Sequence, residues 1–569
     1  MKSHCSEYLE HYRHSCAHLL AQALLELYPD TLLTIGPVTE TGFFYDFLPT
    51  HNLKEDVLAV LEAKMHEIAR RAYPVIGGQV PKAEARPLFA HNRFKMELLE
   101  QIPGETVGVY HQGPFYDLCR GGHVDNIGVL KHFKLTGISG SYWRADRAGQ
   151  ALQRITGIAF TTAQDLAAYE QRVEEALKND HRVLGKQLDL FSFHQESPGA
   201  AFFHPRGVIV YNEMIAYSRG LQAADYQEIK TPLIMHEHLW HTSGHYENYR
   251  ENMYFTQIDE QTHCVRPMNC PSSLMVYKEG LHSYRALPLR YSEYGMVHRY
   301  ELSGVLHGLF RVRTFTQDDA HIFCMPDQIA SEVSKVILLA ETVYSRFGFT
   351  EISYALSTRP AKALGSDESW KIATDALAAA LAERGLAYTV QEGEGAFYGP
   401  KIEIRIKDAM GRQWQCGTVQ VDFCMPENFE LTYVATDQSR QRPVMVHRAI
   451  YGSIERFMGI VLEHYKGRLP FWLAPEQIRI MTITDAQLAY AEQVHNLLTK
   501  AGARISIDRS SDKISAKIKR AQLLQVPWML VLGEKEREQE TVTVRYLDGT
   551  QAAGVSLAAL SEMVHEQQG

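Results

Sequence analysis

From His298 to Cys324 the chain gathers Arg299, Glu301, Arg311, Arg313, Gln317, Asp319 and His321. Two segments, HRYEL and LFRVRTFTQ, alternate polar and apolar residues on either side of a Gly-containing loop. That alternation is the pattern of paired strands, which send every second side chain to one face. Guanidinium groups on such a platform hold a carboxylate or phosphate bidentately, which lysine does not match. A plain antiparallel hairpin with a solvated charged face has the same alternation. The density of Arg, Glu, Gln, Asp and His here favours an anionic ligand.

Two further sets could do chemistry. Cys270 (in RPMNCPSS), His321 and His447 (in MVHRAIYGSIERF) lie far apart, so spacing alone does not separate metal ligands from packed core residues. A thiolate and two imidazoles suit zinc, and three protein ligands leave a coordination position open for a substrate. In the other set, His14 and His18 stand four residues apart and face the same way on a helix. Cys119 and His123 repeat that spacing in DLCRGGHV. The two pairs could form a second zinc site or a metal-free hydrolytic pocket, and the residues alone leave both open.

The elements that must position these groups exceed one core. A chain of 569 residues suggests three to four domains. Its composition, 45% apolar and 22% charged, is that of ordinary globular protein. No apolar run reaches the ~18 residues of a membrane span, and the N-terminus lacks a signal-peptide core, which implies a cytoplasmic protein with no membrane partner. Eight scattered cysteines do not make a disulfide framework. A net charge of −9 argues mildly against nucleic acid, although RSSDKISAKIKR clusters Arg509, Lys513, Lys517, Lys519 and Arg520. That cluster reads equally as a solvated helix face.

Residues 1–160 mix helix-like segments (HSCAHLLAQALLELY) with short strands such as GFFYDF and HFKLTGISG. A connecting helix over 161–187 is predicted from Leu166, Tyr169, Val173, Ala176 and Leu177. Residues 188–470 are strand-rich, LPFWLAPEQ reads as a linker, and 475–569 alternate strands with helices around a mainly parallel sheet. The fold class expected is therefore multidomain, α+β followed by α/β.

The segment from His298 resembles motif 2 of the class II aminoacyl-tRNA synthetases, and within them the threonyl-tRNA synthetases. STRP, GEGAFYGPK, QCGTVQVDF and LAPEQ extend the resemblance from His14 to the C-terminus. It implies an editing domain, a class II antiparallel-sheet core and an anticodon-binding domain. It also implies ligation of threonine to tRNA(Thr) through a threonyl-adenylate. Bacterial members usually carry a small ubiquitin-like domain ahead of the editing domain; this sequence starts without it, and the chemistry is expected to be unaffected.

The resemblance assigns roles. Cys270, His321 and His447 would hold one zinc per subunit, which selects for the amino group and β-hydroxyl of L-threonine over isosteric valine. Asp319 would accept a hydrogen bond from that hydroxyl, with Tyr398, Thr418 and Gln420 completing the pocket. Arg299 would bind the carboxylate and the α-phosphate of ATP, Lys401 would face the activated amino acid, and Arg456 would clamp the γ-phosphate. Glu301, Arg311 and Gln317 would contact ATP, which arrives with Mg2+. Pro232 in TPLIM resembles motif 1, which implies a homodimer.

Serine also carries both groups the zinc recognises, and one missing methyl is worth only about 1–3 kcal/mol. The resemblance accordingly makes His14, His18, Lys95, Asp117, Cys119 and His123 an editing pocket that hydrolyses seryl-tRNA(Thr). Glu536 and Arg545 match anticodon-contacting positions. Two departures stand out: Ser272-Ser273 replaces Gly-His after NCP, and Gly122 stands where proline is common. A non-catalytic tRNA-binding paralogue, a synthetase for proline or serine, and a drug-tolerant second threonyl enzyme, which sequence does not separate from the housekeeping one, are the rivals. The intact arginines oppose the first, and the Cys270–His321–His447 set opposes the second.

Overall fold

In the computed structural model, which describes residues 2–146 and 149–568 (side chains from Glu7 on, Ala145 excepted), the first element is the helix Lys2–Leu27. It buries Tyr12, Cys16, Leu19, Leu20, Ala23 and Leu24 in one cluster with the sheet behind it. That sheet runs in the order Leu32–Leu33, Gly42–Leu48, Ala151–Ala159, Phe133–Tyr142, antiparallel throughout. The strands expected in GFFYDF and HFKLTGISG are its second and fourth members. A separate three-stranded sheet, Val75–Pro81, Thr106–Gln112 and Phe115–Leu118, carries Asp117 and delivers the chain into the loop holding Cys119 and His123.

The chain divides into two units, residues 1–175 and 176–569. The continuous helix expected over 161–187 is instead two helices, Ala163–Lys178 and His181–Gln187. The reason is local: the Asp180 carboxylate accepts from the Arg182 amide and so starts a new helix. The apolar stripe on the first helix is not buried either.

In the second unit an eight-stranded sheet runs Gln227–Glu228, Leu289–His298, Thr314–Cys324, Val444–Ala449, Gln413–Asp422, Lys401–Lys407, Ile352–Ser357, Tyr388–Gln391. Its six central strands are antiparallel and the two edge pairings are parallel. Ile322, Val446, Val419, Ile402 and Ile404 are fully buried with the helices Ile329–Arg346 and Ile454–His464. Alternation sends the polar residues between them to the opposite face.

The hairpin is shifted from its expected place. Its strands are Leu289–His298 and Thr314–Cys324, so Arg299, Glu301, Arg311 and Arg313 sit in the loop between them. That loop is held by its own side chains: Arg313 donates to the Glu301 carbonyl at 2.8 Å, and Arg311 pairs with Glu301 at 3.0 Å.

The last domain has five strands in the order Ile505–Asp508, Ile478–Thr482, Trp528–Leu532, Thr541–Tyr546, Gln551–Ser556. Two pairings are parallel and two antiparallel, so the sheet is mixed rather than mainly parallel. Asp548-Gly549, with Gly549 at φ +93°, closes the final hairpin. LPFWLAPEQ is not a loose linker, since Phe471, Leu473 and Ala474 are buried. No helix among the described residues is long and apolar enough to cross a membrane.

Candidate active site and editing pocket

Strand register assembles the main site. Tyr291, His321, His447, Gln420 and Lys401 form one row across five strands. Two residues along, Glu293, Asp319, Ala449, Thr418 and Glu403 form the next. Directly opposed residues share a face, so these two rows bring His321, His447, Gln420, Lys401, Asp319 and Thr418 to one surface.

Cys270 opens the helix Cys270–Lys278 above that surface. Ligand atoms of Cys270, His321 and His447 lie within 4.8 Å of one another, and all three residues are buried. His321 Nε2 is buried without a hydrogen-bond partner, which a native interior rarely tolerates unless something else fills the role. Burial holds the His321 imidazole well below its usual range, hence neutral and ligand-competent. Burial, with Asp319 and Asp422 nearby, pushes the Cys270 thiol well above its usual range. A divalent cation supplies the positive charge that lets such a thiol ionise. A sulfur and two imidazoles, one of them with an orphaned nitrogen, fit zinc.

The surrounding contacts reveal residues that sequence reasoning missed. His447 Nε2 lies 3.0 Å from the Asp422 carboxylate. Asn269 donates to Asp319 at 3.1 Å, and it fits because Gly295 has no Cβ, which would stand 2.3 Å from its side-chain oxygen. Burial raises the Asp319 carboxyl to about 6, against the lowering pull of Asn269 and His447. Tyr398 donates to Gln420 at 2.6 Å and Gln420 to Thr418 at 3.0 Å, a chain that fixes all three. Ser273, at the departure after NCP, donates to the Cys270 carbonyl at 2.8 Å, so it packs within the helix turn.

Two cavities meet here. One of about 310 Å³ is lined by Cys270, Asp319, Tyr398, Lys401, Thr418, Gln420 and His447. The other, of about 390 Å³, is lined by Glu301, Phe310, Arg311, Gln415, Ser453 and Arg456. Arg299 and Gln317 line both. Arg299 is anchored through Nε on the Pro267 carbonyl at 3.2 Å. Arg456 follows the Ser453 N-cap of the helix Ile454–His464, and its Nε is buried without a partner.

In the first unit, His14, His18, Cys119 and His123 also bring their ligand atoms within 4.8 Å of one another. Cys119 Sγ is 3.1 Å from His123 Nε2, and Ser15 Oγ is 3.2 Å from His123 Nδ1. Burial, then the neighbouring histidines, lower His123 to about 2, and burial lowers His14 and His18 too, so the cluster is neutral. Lys95 and Asp117 form a buried ion pair bridged by the Tyr45 hydroxyl, which donates to Asp117 and accepts from Lys95 at 3.1 Å. Tyr45 and Ser15 carried no motif to find them by. Gly122 has φ +80°, a conformation closed to proline.

In the last domain the Glu536 carboxylate accepts from the Gly533 amide at 2.9 Å and the Thr543 hydroxyl at 2.8 Å. Arg545 lies on the strand Thr541–Tyr546 with a buried, unpartnered Nε. The basic cluster is largely spent inside the domain. Lys517 is buried against the Thr482 and Asp508 carbonyls, Arg520 pairs with Asp508 and Asp512, and Arg509 pairs with Glu492.

An antiparallel-rich sheet carrying an arginine-lined cavity beside a second one that shares Arg299 and Gln317 fits a class II tRNA synthetase core. The family model for the tRNA synthetase class II core domain (G, H, P, S and T) matches residues 254–465, and that for the anticodon binding domain matches 477–567. The threonyl and alanyl tRNA synthetase second additional domain matches 107–156. The threonine–tRNA ligase of Clostridium botulinum (strain Okra / Type B1) is 49% identical over 98% of this chain and 88% of its own length. That of Desulfosudis oleivorans is 49% identical over 97% of this chain and 87% of its own. Among solved structures, the RNA binding domain of threonyl-tRNA synthetase from Cryptosporidium parvum Iowa II aligns with a TM-score of 0.67 and 43% identity, over 68% of this chain and 98% of that one. A putative threonyl-tRNA synthetase from Aeropyrum pernix aligns at 0.59 and 28%, over 68% and 96%. The chain belongs to the threonine–tRNA ligase family.

Proposed function

We propose that this chain activates L-threonine with ATP and transfers it to tRNA(Thr), and that its first unit hydrolyses seryl-tRNA(Thr). The observation that carries the reading is the pair of cavities joined at Arg299 and Gln317. Threonine in the smaller-volume cavity points its carboxylate toward Arg299, the same guanidinium that reaches an α-phosphate in the other. The carboxylate oxygen attacks the α-phosphorus, the bond to the β-phosphate oxygen breaks, and pyrophosphate leaves toward Arg456. Arg299 stabilises the charge that builds on the phosphoryl oxygens, and Lys401 faces the new mixed anhydride. The tRNA 3′-terminal hydroxyl then attacks the activated carbonyl, and AMP departs.

Cys270, His321 and His447 would hold zinc, which when bound supplies a Lewis-acid contact for the amino group and β-hydroxyl. Asp319 accepts a hydrogen bond from that hydroxyl, and valine, lacking it, leaves the carboxylate with the Asn269 bond alone. Mg2+ accompanies the triphosphate. For the homodimer, the small sheet that includes Ile234–His236 leaves Ile234 and Ile258 exposed on one face, a place suited to a second copy.

Threonine-dependent ATP–pyrophosphate exchange, before and after zinc removal and after zinc is restored, tests the reading. Exchange with threonine but not valine, lost and regained with the metal, is expected. Exchange that ignores zinc, or prefers proline or serine, overturns it.

A further inference from the structure

One buried knot lies outside both sites. His181, fully buried at the start of the helix His181–Gln187, donates its backbone amide to Glu463 Oε1 at 2.9 Å, and its ring Nδ1 lies 2.7 Å from the same oxygen. Ring Nε2 accepts the Leu309 backbone amide at 2.9 Å. An amide can only donate, so Nε2 is unprotonated in this arrangement and Nδ1 carries the hydrogen. Burial pushes the Glu463 carboxyl up, but bonds from His181 and Arg412 outweigh it, so the group is an acceptor carboxylate that fixes this tautomer.

The knot closes on the nucleotide cavity from behind. Leu309 precedes Phe310, Arg311 and Val312, all of which line that cavity. The His181 ring lies 4.0 Å from the Phe310 ring, and Phe310 lies 4.5 Å from Trp414, over which the Arg456 guanidinium sits at 5.8 Å. Gly308 (φ +48°) leaves room for the histidine, because a Cβ there would stand 2.1 Å from Nε2. Glu463 stands seven residues, two helical turns, beyond Arg456 on the same helix. His181 therefore bolts the loop that bears Phe310 and Arg311 to the helix that bears Arg456.

We propose that His181 is a positioning residue for ATP, setting the distance between the Phe310–Arg311 wall and the Arg456 helix through its paired bonds to Leu309 and Glu463. The proposal rests on the reading that this cavity takes ATP. Asp180, His181 and Glu463 also cluster as metal ligands would, yet both ring nitrogens are already engaged, so the cluster serves packing.

The test uses the full chain, with ATP binding measured by calorimetry in the absence of amino acid and pyrophosphate exchange measured with each substrate varied. Parent-chain binding of ATP checks the cavity reading first. His181→Asn keeps a donor toward Glu463 and abandons the Leu309 amide, whereas His181→Gln reaches Leu309 and releases Glu463. The first leaves the Leu309 amide unpaired and should weaken ATP binding about tenfold, and the second removes one of the bonds to Glu463, which keeps the residue-181 amide and Arg412, and should weaken it less. KM for threonine and zinc content should stay at parental values, and Glu463→Gln, which keeps an acceptor for Nδ1, should lose less than Glu463→Ala. Equal rises in both KM values, or parental ATP affinity in a folded variant, would overturn the proposal. So would a second bound metal that disappears with His181. Should His181→Asn fail to fold, Gly308→Ala perturbs the same bond from the loop side and carries the same expectations.

Discussion

His321 and His447 are register partners on adjacent antiparallel strands, their rings 5.1 Å apart at 86°. The sheet itself therefore makes two-thirds of the proposed zinc site, and only Cys270 comes from elsewhere, on the first turn of a helix. Such a site is pre-formed by folding, and its third ligand is the one whose loss leaves the scaffold intact. Cys270→Ser should keep the fold, as judged by its melting curve, while metal content falls from one zinc per chain toward none and threonine-dependent exchange disappears with it. Zinc-free parental protein with full exchange would sink the assignment.

Asp422 should tune the metal without binding it. Its carboxylate contacts His447 Nε2 and also accepts the Cys424 and Met425 amides, which anchor it. Loss of a carboxylate behind a ligand imidazole typically costs about 10–100-fold in metal affinity. Asp422→Asn should therefore lose zinc to a chelator sooner than the parent and recover exchange at raised zinc. Cys270→Ser should not recover, and that contrast separates the two roles.

The sequence disclosed ligand types and strand alternation, and the family resemblance, not spacing, joined Cys270, His321 and His447 into one candidate site. His321 and Asp319, two apart, must share a face if the segment is a strand, and they do. It did not disclose where the strands begin. Arg299, Glu301, Arg311 and Arg313 alternate like strand residues but lie in a loop whose order comes from side-chain bonds, which periodicity does not encode. Asp422, Tyr45 and His181 were invisible for a related reason. Each acts through a partner more than twenty residues away, and such pairs are visible only after folding. The helix break at Asp180 was readable, since Asp before an apolar helical run is an N-cap signal, but the apolar stripe upstream masked it.

Glu455 offers a pH test of the core. Burial raises its carboxyl from 4.5 to about 7, and both oxygens receive the Thr316 amide. A raised carboxyl stabilises the fold fully below its unfolded value and loses that contribution as pH rises through the folded one. Between pH 4.5 and 7 the loss amounts to about 3 kcal/mol for a group this buried. Glu455→Gln, which mimics the protonated form, should melt above the parent at pH 8 and match it at pH 4. Parallel melting curves at both pH values would show that the carboxyl is not perturbed.

Arg545 should matter to tRNA alone. It sits in the last domain, on the strand Thr541–Tyr546, at a position that the resemblance gives to anticodon contact. Arg545→Ala should raise the tRNA concentration needed for aminoacylation by roughly ten- to hundredfold, as loss of a base contact does. Pyrophosphate exchange without tRNA should be unchanged, and joint loss of both activities would reveal a folding role.

In the proposed editing pocket two chemistries compete for one set of residues. His14, His18, Cys119 and His123 are close enough to bind a metal. Yet Cys119 Sγ and His123 Nε2 lie 3.1 Å apart, and Ser15 Oγ lies 3.2 Å from the second nitrogen of His123. Those bonds describe a neutral network better suited to orienting a water against the seryl ester, with imidazole or Lys95 managing protons. Threonine's extra methyl would crowd the same space and be spared. His14→Ala and Cys119→Ala should therefore leave threonylation near parental rates while seryl-tRNA accumulates in the presence of tRNA(Thr). Tyr45→Phe, which removes the bridge between Lys95 and Asp117, should slow clearance of seryl-tRNA without touching exchange. Metal analysis decides the mechanism: one zinc per chain supports the water-only pocket, and two would place a hydrolytic metal in it. Alanine variants that clear seryl-tRNA as fast as the parent would remove the assignment altogether.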